Sequence, residues 1–319
     1  MKVVRTVPET RAALTQARQL GRKVGLVPTM GAFHDGHLSL MRRARAECDV
    51  VVVSLFVNPT QFNDPADLNR YPRDEHRDAA LAAEIGVDLL FAPAAGEIYG
   101  GDFATQVAVG ALGETLEGAH RGNDHFTAVA TIVLKLLNIV GPDAVYFGQK
   151  DAQQTAVVKR LVRDLDVPVS VEVCPTVRAP DGLALSSRNV RLSPSERARA
   201  TALYRSLNAA ADTIASGERD PTVAVNAARQ VLSSSGIEPD YFELVDPQTF
   251  APVAALNGDM IAVVAASLKG ARLIDNLIIR VPGARDEGTQ APTAEAEGTH
   301  NAFIATVSRG TQPFARPAA

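Results

Sequence analysis

Between Val50 and Phe56 the sequence reads Val-Val-Val-Val-Ser-Leu-Phe, a run in which only Ser54 is polar. A strand with one wet face would alternate, so this one is expected to be covered on both faces, as parallel strands in α/β folds are. The preceding residues fit that expectation. A shorter apolar stretch, Val24 to Val27, leads through Pro28-Thr29-Met30-Gly31-Ala32-Phe33-His34-Asp35-Gly36-His37 into a segment where Leu38, Met41, Ala44 and Cys48 share one helical face. Strand, loop, helix and buried strand in that order predict a right-handed βαβ unit. Ligands in such sheets lie beyond the carboxyl ends of the strands.

The alternation continues along the chain. Residues 8–21 have helical composition, 74–85 form a second helix with Gly86 as its stop, and 88–91 form a strand. A Gly-rich stretch, 93–124, carries one expected strand at 105–109. Residues 126–140 read as a buried helix, apolar all round except for Thr131, Lys135 and Asn138, whose shared face is expected to be a snorkelling lysine with two polar neighbours. Strand 143–147, a helix to about Leu165 and strand 167–173 follow. After Asn189 the rhythm changes. Ser193-Pro194-Ser195-Glu196 has the order N-cap, Pro at N1 and Glu at N3, which starts a helix expected to reach Ser216. A helix at 221–235 and strands at 241–245, 260–268 and 271–281 complete a small α+β unit, with Lys269-Gly270 as a hairpin turn.

The expected fold class is therefore α/β, a Rossmann-like doubly wound parallel sheet with a smaller C-terminal α+β domain. The expected boundaries are 1–177 for the sheet domain, 178–283 for the small domain, and 284–319 for a disordered tail rich in Gly, Ala, Thr, Pro and Glu.

Composition narrows the function. With 319 residues, 46% of them hydrophobic, the chain can bury one large core or two ordinary ones. A net charge of −4 argues against a nucleic-acid surface. There is no run of about 18 apolar residues and no apolar signal core near Met1, so no membrane partner and a cytoplasmic location are expected. The two cysteines, Cys48 and Cys174, sit in or beside apolar runs and are expected to be reduced core thiols.

The polar residues that follow the strands carry the chemistry. His34 and His37 stand at the mouth of the helix after the first βα loop, where unpaired amides and the helix dipole attract anions, phosphate above all. A zinc site is disfavoured, because the Glu and the i, i+4 spacing of a HExxH helix are missing. Asn58-Pro59-Thr60-Gln61 and Gly148-Gln149-Lys150-Asp151 emerge at the same sheet edge. Ser186, Ser187 and Arg188 follow the last strand and supply hydroxyl donors and a guanidinium fork suited to phosphate oxygens. The pattern HxGH after a first strand resembles the nucleotidyltransferase superfamily, in which this turn holds a nucleotide triphosphate.

Taken together, VPTMGAFHDGH, FVNPTQF, YPR, FGQKDAQQ and DGLALSSRN, in this order, resemble the pantoate–β-alanine ligase (pantothenate synthetase) family from Lys2 to about Pro282. The resemblance implies ATP-dependent condensation of pantoate with β-alanine through a pantoyl adenylate, releasing AMP and pyrophosphate, in a nucleotide-binding domain over which a small domain closes. It further implies a catalytic set of His34, His37, Lys150, Ser186, Ser187 and Arg188. Pantoate would meet Gln61, Gln154, Asn58 and His125, with its methyl groups on Pro28, Val129 and Ile132. ATP would meet Pro28, Thr29, Met30, Gly31, Gly36, His37, Gly148, Gln149, Lys150, Asp151, Val177, Leu185, Ser186, Ser187 and Arg188. Mg²⁺ accompanies ATP, with its ligands left open, and a homodimer is expected. Departures from the family pattern occur at Thr60, Gln149, Ala152 and Leu185, and between Arg121 and Ala128, where the family commonly shows Arg-Pro-x-His-Phe-x-Gly. Two other classes stay open: a nucleotidyltransferase acting on a phosphorylated acceptor, and a nucleotide-sensing module without turnover.

Overall fold

A computed structural model describes residues 1–281 except Asn123 and Gly270. The expected tail, 284–319, lies outside the described residues.

Six strands form a wholly parallel sheet: β1 (Lys2–Val4), β2 (Val24–Thr29), β3 (Val50–Leu55), β4 (Leu89–Phe91), β5 (Ala144–Gly148) and β6 (Ser170–Cys174), in the order β1-β4-β3-β2-β5-β6. The expected α/β architecture is present. From β2 the chain steps outward through β3 and β4, then returns to place β5 on the other flank of β2. The order reverses between β2 and β5, and a crevice opens there at the carboxyl ends.

The run that predicted a doubly covered strand is covered on both faces. Val51, Val52 and Val53 are each wholly buried. Val52 belongs to a core shared with α1 (Val7–Gln19), and Val51 and Val53 to one shared with α2 (Asp35–Glu47). Next come α3 (Pro65–Arg70), α4 (Glu75–Ile85), α5 (Ala95–Ile98) and α6 (Glu117–Arg121), then the apolar helix α7 (Asp124–Val140) and α8 (Ala152–Asp164). Gly86, with φ +86°, ends α4 as expected.

The remainder of the described chain comprises α9 (Pro194–Ala200), α10 (Ala202–Ala215), α11 (Pro221–Ser234) and an antiparallel sheet β7 (Pro239–Val245), β8 (Gly258–Ser267), β9 (Arg272–Val281). Leu203, Leu207, Leu232, Phe242 and Val264 form its separate core.

Two local expectations differ, and one element was not foreseen. Residues 105–109 form no strand: the Val107 amide donates to Thr131 Oγ1 at 2.9 Å, and Val107 and Val109 pack on the core that α7 helps build. The helix expected from 193 to 216 is two helices. Ser193 and Glu196 form the anticipated capping box, but Thr201 Oγ1 bonds back to the Ala198 carbonyl at the break. The edge strand β1 escaped the sequence reading because three residues are too few to show a period.

Candidate active site

The loop between β2 and α2 turns sharply on Gly31, whose φ of +84° favours glycine, and on Ala32 with φ +54°. A β-carbon at Gly31 would stand 2.7 Å from Leu55 Cδ1 and 2.9 Å from Asp78 Oδ2. Asp78, buried on α4, secures this turn. Its two carboxylate oxygens accept from the Ala32 amide at 2.7 Å and the Phe33 amide at 2.8 Å. Sequence reading passed over Asp78, which stands among Asp74, Glu75, Arg77 and Glu84 as one of several charged residues of this helix and carries no local signal of its own.

Helix α2 begins at Asp35, and His34 is its N-cap. The Gly36 amide donates to His34 Nδ1 at 3.1 Å, and the His34 amide approaches His37 Nδ1 at 3.4 Å. A ring nitrogen that accepts a hydrogen bond carries no proton, so in both neutral rings the proton sits on Nε2. The rings stand 4.2 Å apart between centroids. Burial, with Lys150 nearby, pushes His34 down to about 4. Burial, together with His34 and Lys150, pushes His37 down to about 3. Both imidazoles are therefore neutral donors at pH 7.

Across the crevice, Lys150 follows β5, with its Nζ 3.3 Å from Asp151 Oδ1. Strand β9 fixes this segment: Asn276 Nδ2 donates to the carbonyls of Gln149 and Lys150, each at 2.9 Å, while Gln149 Nε2 donates to Asn276 Oδ1 at 3.0 Å. Asn276 is buried in an apolar strand and was not foreseen as part of the site. The third wall is a 3-10 turn, Ser187–Arg191, capped by Ser186 Oγ, which accepts from the Arg188 amide at 3.2 Å. Arg188 Nη2 and Arg191 Nη1 donate to the two oxygens of Asp67, at 3.1 and 2.7 Å.

One cavity gathers most of the residues singled out by the sequence. Pro28, Thr29, Met30, His34, Gly36 and His37 line it on the β2 side. Gly148, Lys150, Asp151 and Gln154 line it on the β5 side, with Val177, Leu185, Ser186, Ser187 and Arg188 beyond. Gln61, His125, Val129 and Ile132 form its floor. Gly31, Asn58 and Gln149 stand behind the lining. Asn58 is buried, donating from Nδ2 to Gln61 Oε1 at 3.0 Å, which leaves the Gln61 amide group to face a ligand. Phe56, Phe62, Tyr71 and Thr176 also line the cavity and were not anticipated. Thr176 Oγ1 is buried with no hydrogen-bond partner among the described residues.

His125 differs from the other two histidines. Its Nδ1 lies 3.2 Å from the Gln61 carbonyl oxygen, which can only accept, so Nδ1 carries the proton and Nε2 keeps a lone pair. Burial, reinforced by Arg121, lowers it to about 4. Such a ring is a hydrogen-bond acceptor rather than a strong base.

Among the described residues no three His, Cys, Asp or Glu side chains cluster as a metal site, and Asp151 is the one carboxylate in the lining. That donor set fits a cation that arrives on phosphates, since Mg²⁺ is commonly held by one or two carboxylates, water and the nucleotide itself. No helix among the described residues is long and apolar enough to cross a membrane.

Comparison with known proteins gives one consistent result. The family description "pantoate-beta-alanine ligase" matches residues 2–278. A pantothenate synthetase of Cereibacter sphaeroides is 52% identical over 275 residues, 86% of this chain and 98% of that protein. One from Chloroflexus aggregans is 49% identical over 281 residues, 88% of this chain and all of its own length. Among solved structures, pantothenate synthetase from Thermus thermophilus superposes with a TM-score of 0.83 at 48% identity, covering 87% of this chain and 99% of its own. The pantoate-beta-alanine ligase of Francisella tularensis, complexed with beta-gamma ATP and beta-alanine, gives 0.73 at 34% identity over 87% of this chain and 97% of its own.

Proposed function

This chain belongs to the pantoate–β-alanine ligase family, and from that premise we propose that it condenses pantoate with β-alanine at the expense of ATP, releasing AMP and pyrophosphate. The observation that carries the reading is the meeting, in one cavity at the sheet's switch point, of two neutral imidazole donors, a lysine and an arginine with a floor of Gln61, Gln154 and apolar side chains.

In the first step a pantoate carboxylate oxygen attacks the α-phosphorus and the bond to pyrophosphate breaks. Two anions must approach each other, and a third is stabilised as it leaves. In this reading His34 and His37 donate from Nε2 to phosphate oxygens, and Lys150, Ser186, Ser187 and Arg188 share the developing charge. Neutral imidazoles suit this task, because they donate without requiring a change of protonation state. Gln61, held by Asn58, and Gln154 bind the hydroxy acid, and its methyl groups rest on Pro28, Val129 and Ile132. His125 Nε2 accepts a hydrogen bond from substrate. In the second step the β-alanine amine attacks the acyl carbon and AMP departs, with solvent taking the amine proton. Mg²⁺, entering with ATP and steadied by Asp151, would neutralise phosphate charge. The unit holding β7–β9 acts as a lid that completes the Lys150 side of the site. We further assign the protein to the cytoplasm as a homodimer, with neither nucleic acid nor membrane as partner.

Incubating the purified protein with ATP, pantoate and β-alanine, and assaying AMP and pantothenate, tests the reading. ATP binding without pantothenate formation would overturn it in favour of a sensing module. Lys150→Ala should lower kcat/KM at least about a hundredfold, the scale of a lost transition-state donor.

A further inference from the structure

Beside the catalytic cavity lies a second one of about 480 Å³, which shares Gln61, Phe62, Arg121 and Arg188 with the first. Four parts of the chain bring cations to it: Arg70 at the end of α3, Arg121 on α6, Arg188 and Arg191 on the 3-10 turn, and Lys269 and Arg272 at the β8–β9 turn. Two carboxylates, Asp64 and Asp67, line it. Arg121 and Arg272 are steadied from behind by Glu117, which is held at about 2 by these two guanidinium groups despite its burial. Arg272 also donates from Nε to Asp240 at 2.6 Å, yet its Nη2 is buried with no partner among the described residues. The lining of this cavity thus carries more guanidinium and ammonium groups than carboxylates, which suits an anionic guest.

We propose that this cavity is a transit site for pyrophosphate, occupied after the anion has left the reacting α-phosphorus and before it reaches solvent. The inference rests on the ATP-cleaving reading of the neighbouring cavity. Pyrophosphate is a polyanion, and a set of cations converging from both sides of the cleft suits it better than the single carboxylate of an amino acid. Arg188 lines both cavities and so can pass the anion from one to the other. Moving it away matters chemically, because pyrophosphate left against the adenylate would reverse the first step before the amine attacks. No bond is made or broken in the transit.

Asp67 sets how tightly the anion is held. Its two oxygens occupy Arg188 and Arg191, so an incoming pyrophosphate must displace an internal carboxylate that returns when it departs. The site thus resists becoming a trap.

The test is product inhibition by pyrophosphate in initial-rate assays of the full chain, with orthophosphate as the control anion. Arg191→Gln should weaken inhibition about tenfold, the size of one charge-assisted hydrogen bond. Lys269 lies outside the catalytic lining, so Lys269→Gln should act in the same direction and leave the rate without added pyrophosphate within about twofold. Asp67→Asn should tighten inhibition. Opposite shifts for the arginine and aspartate variants are the expected result, since a general structural disturbance would move both alike. Inhibition constants that stay unchanged, or move together, would overturn the proposal. Wild-type protein that makes pantothenate but shows this null result would sink the transit site alone, whereas protein that makes none would sink the reading beneath it.

Discussion

His34 and His37 are held by bonds that stay within three residues of sequence and by one buried carboxylate on α4, whereas the turn from Ser187 to Arg191 is held by contacts that cross 116 to 124 residues. The histidine wall is held mostly at short range, with a buried carboxylate behind it. Tyr71, Asp67 and Arg70 hold the opposite wall, and Asp67 and Arg70 belong to α3, a helix with no buried residue. The first wall is built to keep donors at fixed positions around a developing charge. The second can exchange an internal carboxylate for a ligand's phosphate. Preorganisation and adaptability have been assigned to opposite sides of one cleft.

The strongest way to break that contrast is Asp78→Ala. It leaves two amides of the Gly31–Phe33 turn without their acceptor, at about 1–3 kcal/mol each, so the melting temperature should fall by roughly 5 °C or more. Activity should drop at least about a hundredfold through displaced histidines. A variant melting within a degree of wild type with near-normal kcat/KM would show that the turn does not depend on this carboxylate. Gly31→Ala should be milder, costing about 1–3 kcal/mol from the left-handed backbone and the crowding by Leu55, as read by thermal denaturation.

On the adaptable wall, Arg188→Lys should lower kcat/KM about tenfold, because an ammonium cannot fork between carboxylate and phosphate. Its melting temperature should stay within about 1 °C, since the pair it breaks is partly exposed. A large loss of stability there would erase the distinction between the walls.

The smallest effect concerns pH. His34 and His37 have folded values lowered from 6.5 to about 4 and about 3, so the unfolded chain binds their protons first as pH falls. Their contribution to stability is complete above about pH 6.5 and is lost as pH falls toward 4 and 3. The slope is on the order of 1 kcal/mol per pH unit for each ring. His37→Gln should therefore flatten the melting temperature against pH between 6.5 and 4. An unaltered slope would mean that the ring is not held neutral.

What the sequence determined by itself was whatever depends on periodicity and on short-range spacing. Val50 to Phe56 required a covered parallel strand, the His34–His37 pair required a helix mouth, and Ser193 to Glu196 wrote out a capping box, because hydrophobic period and cap geometry operate within a turn or two of chain. The motifs that line the cleft were legible for the same reason, each being a short polar segment after an apolar strand. Tertiary structure decided the rest. Asp78 and Asn276 look like stray polar residues until α4 and β9 bring them against the backbone of Gly31–Phe33 and Gln149–Lys150. Residues 105–109 alternate as a strand should, yet they lie against α7 and the core beside it. Asn58 and Gln149 carry polar side chains suited to a ligand, and the fold turns both to support their neighbours. A residue's partner across a hundred positions is set by how the layers pack, and no local pattern in the chain encodes it.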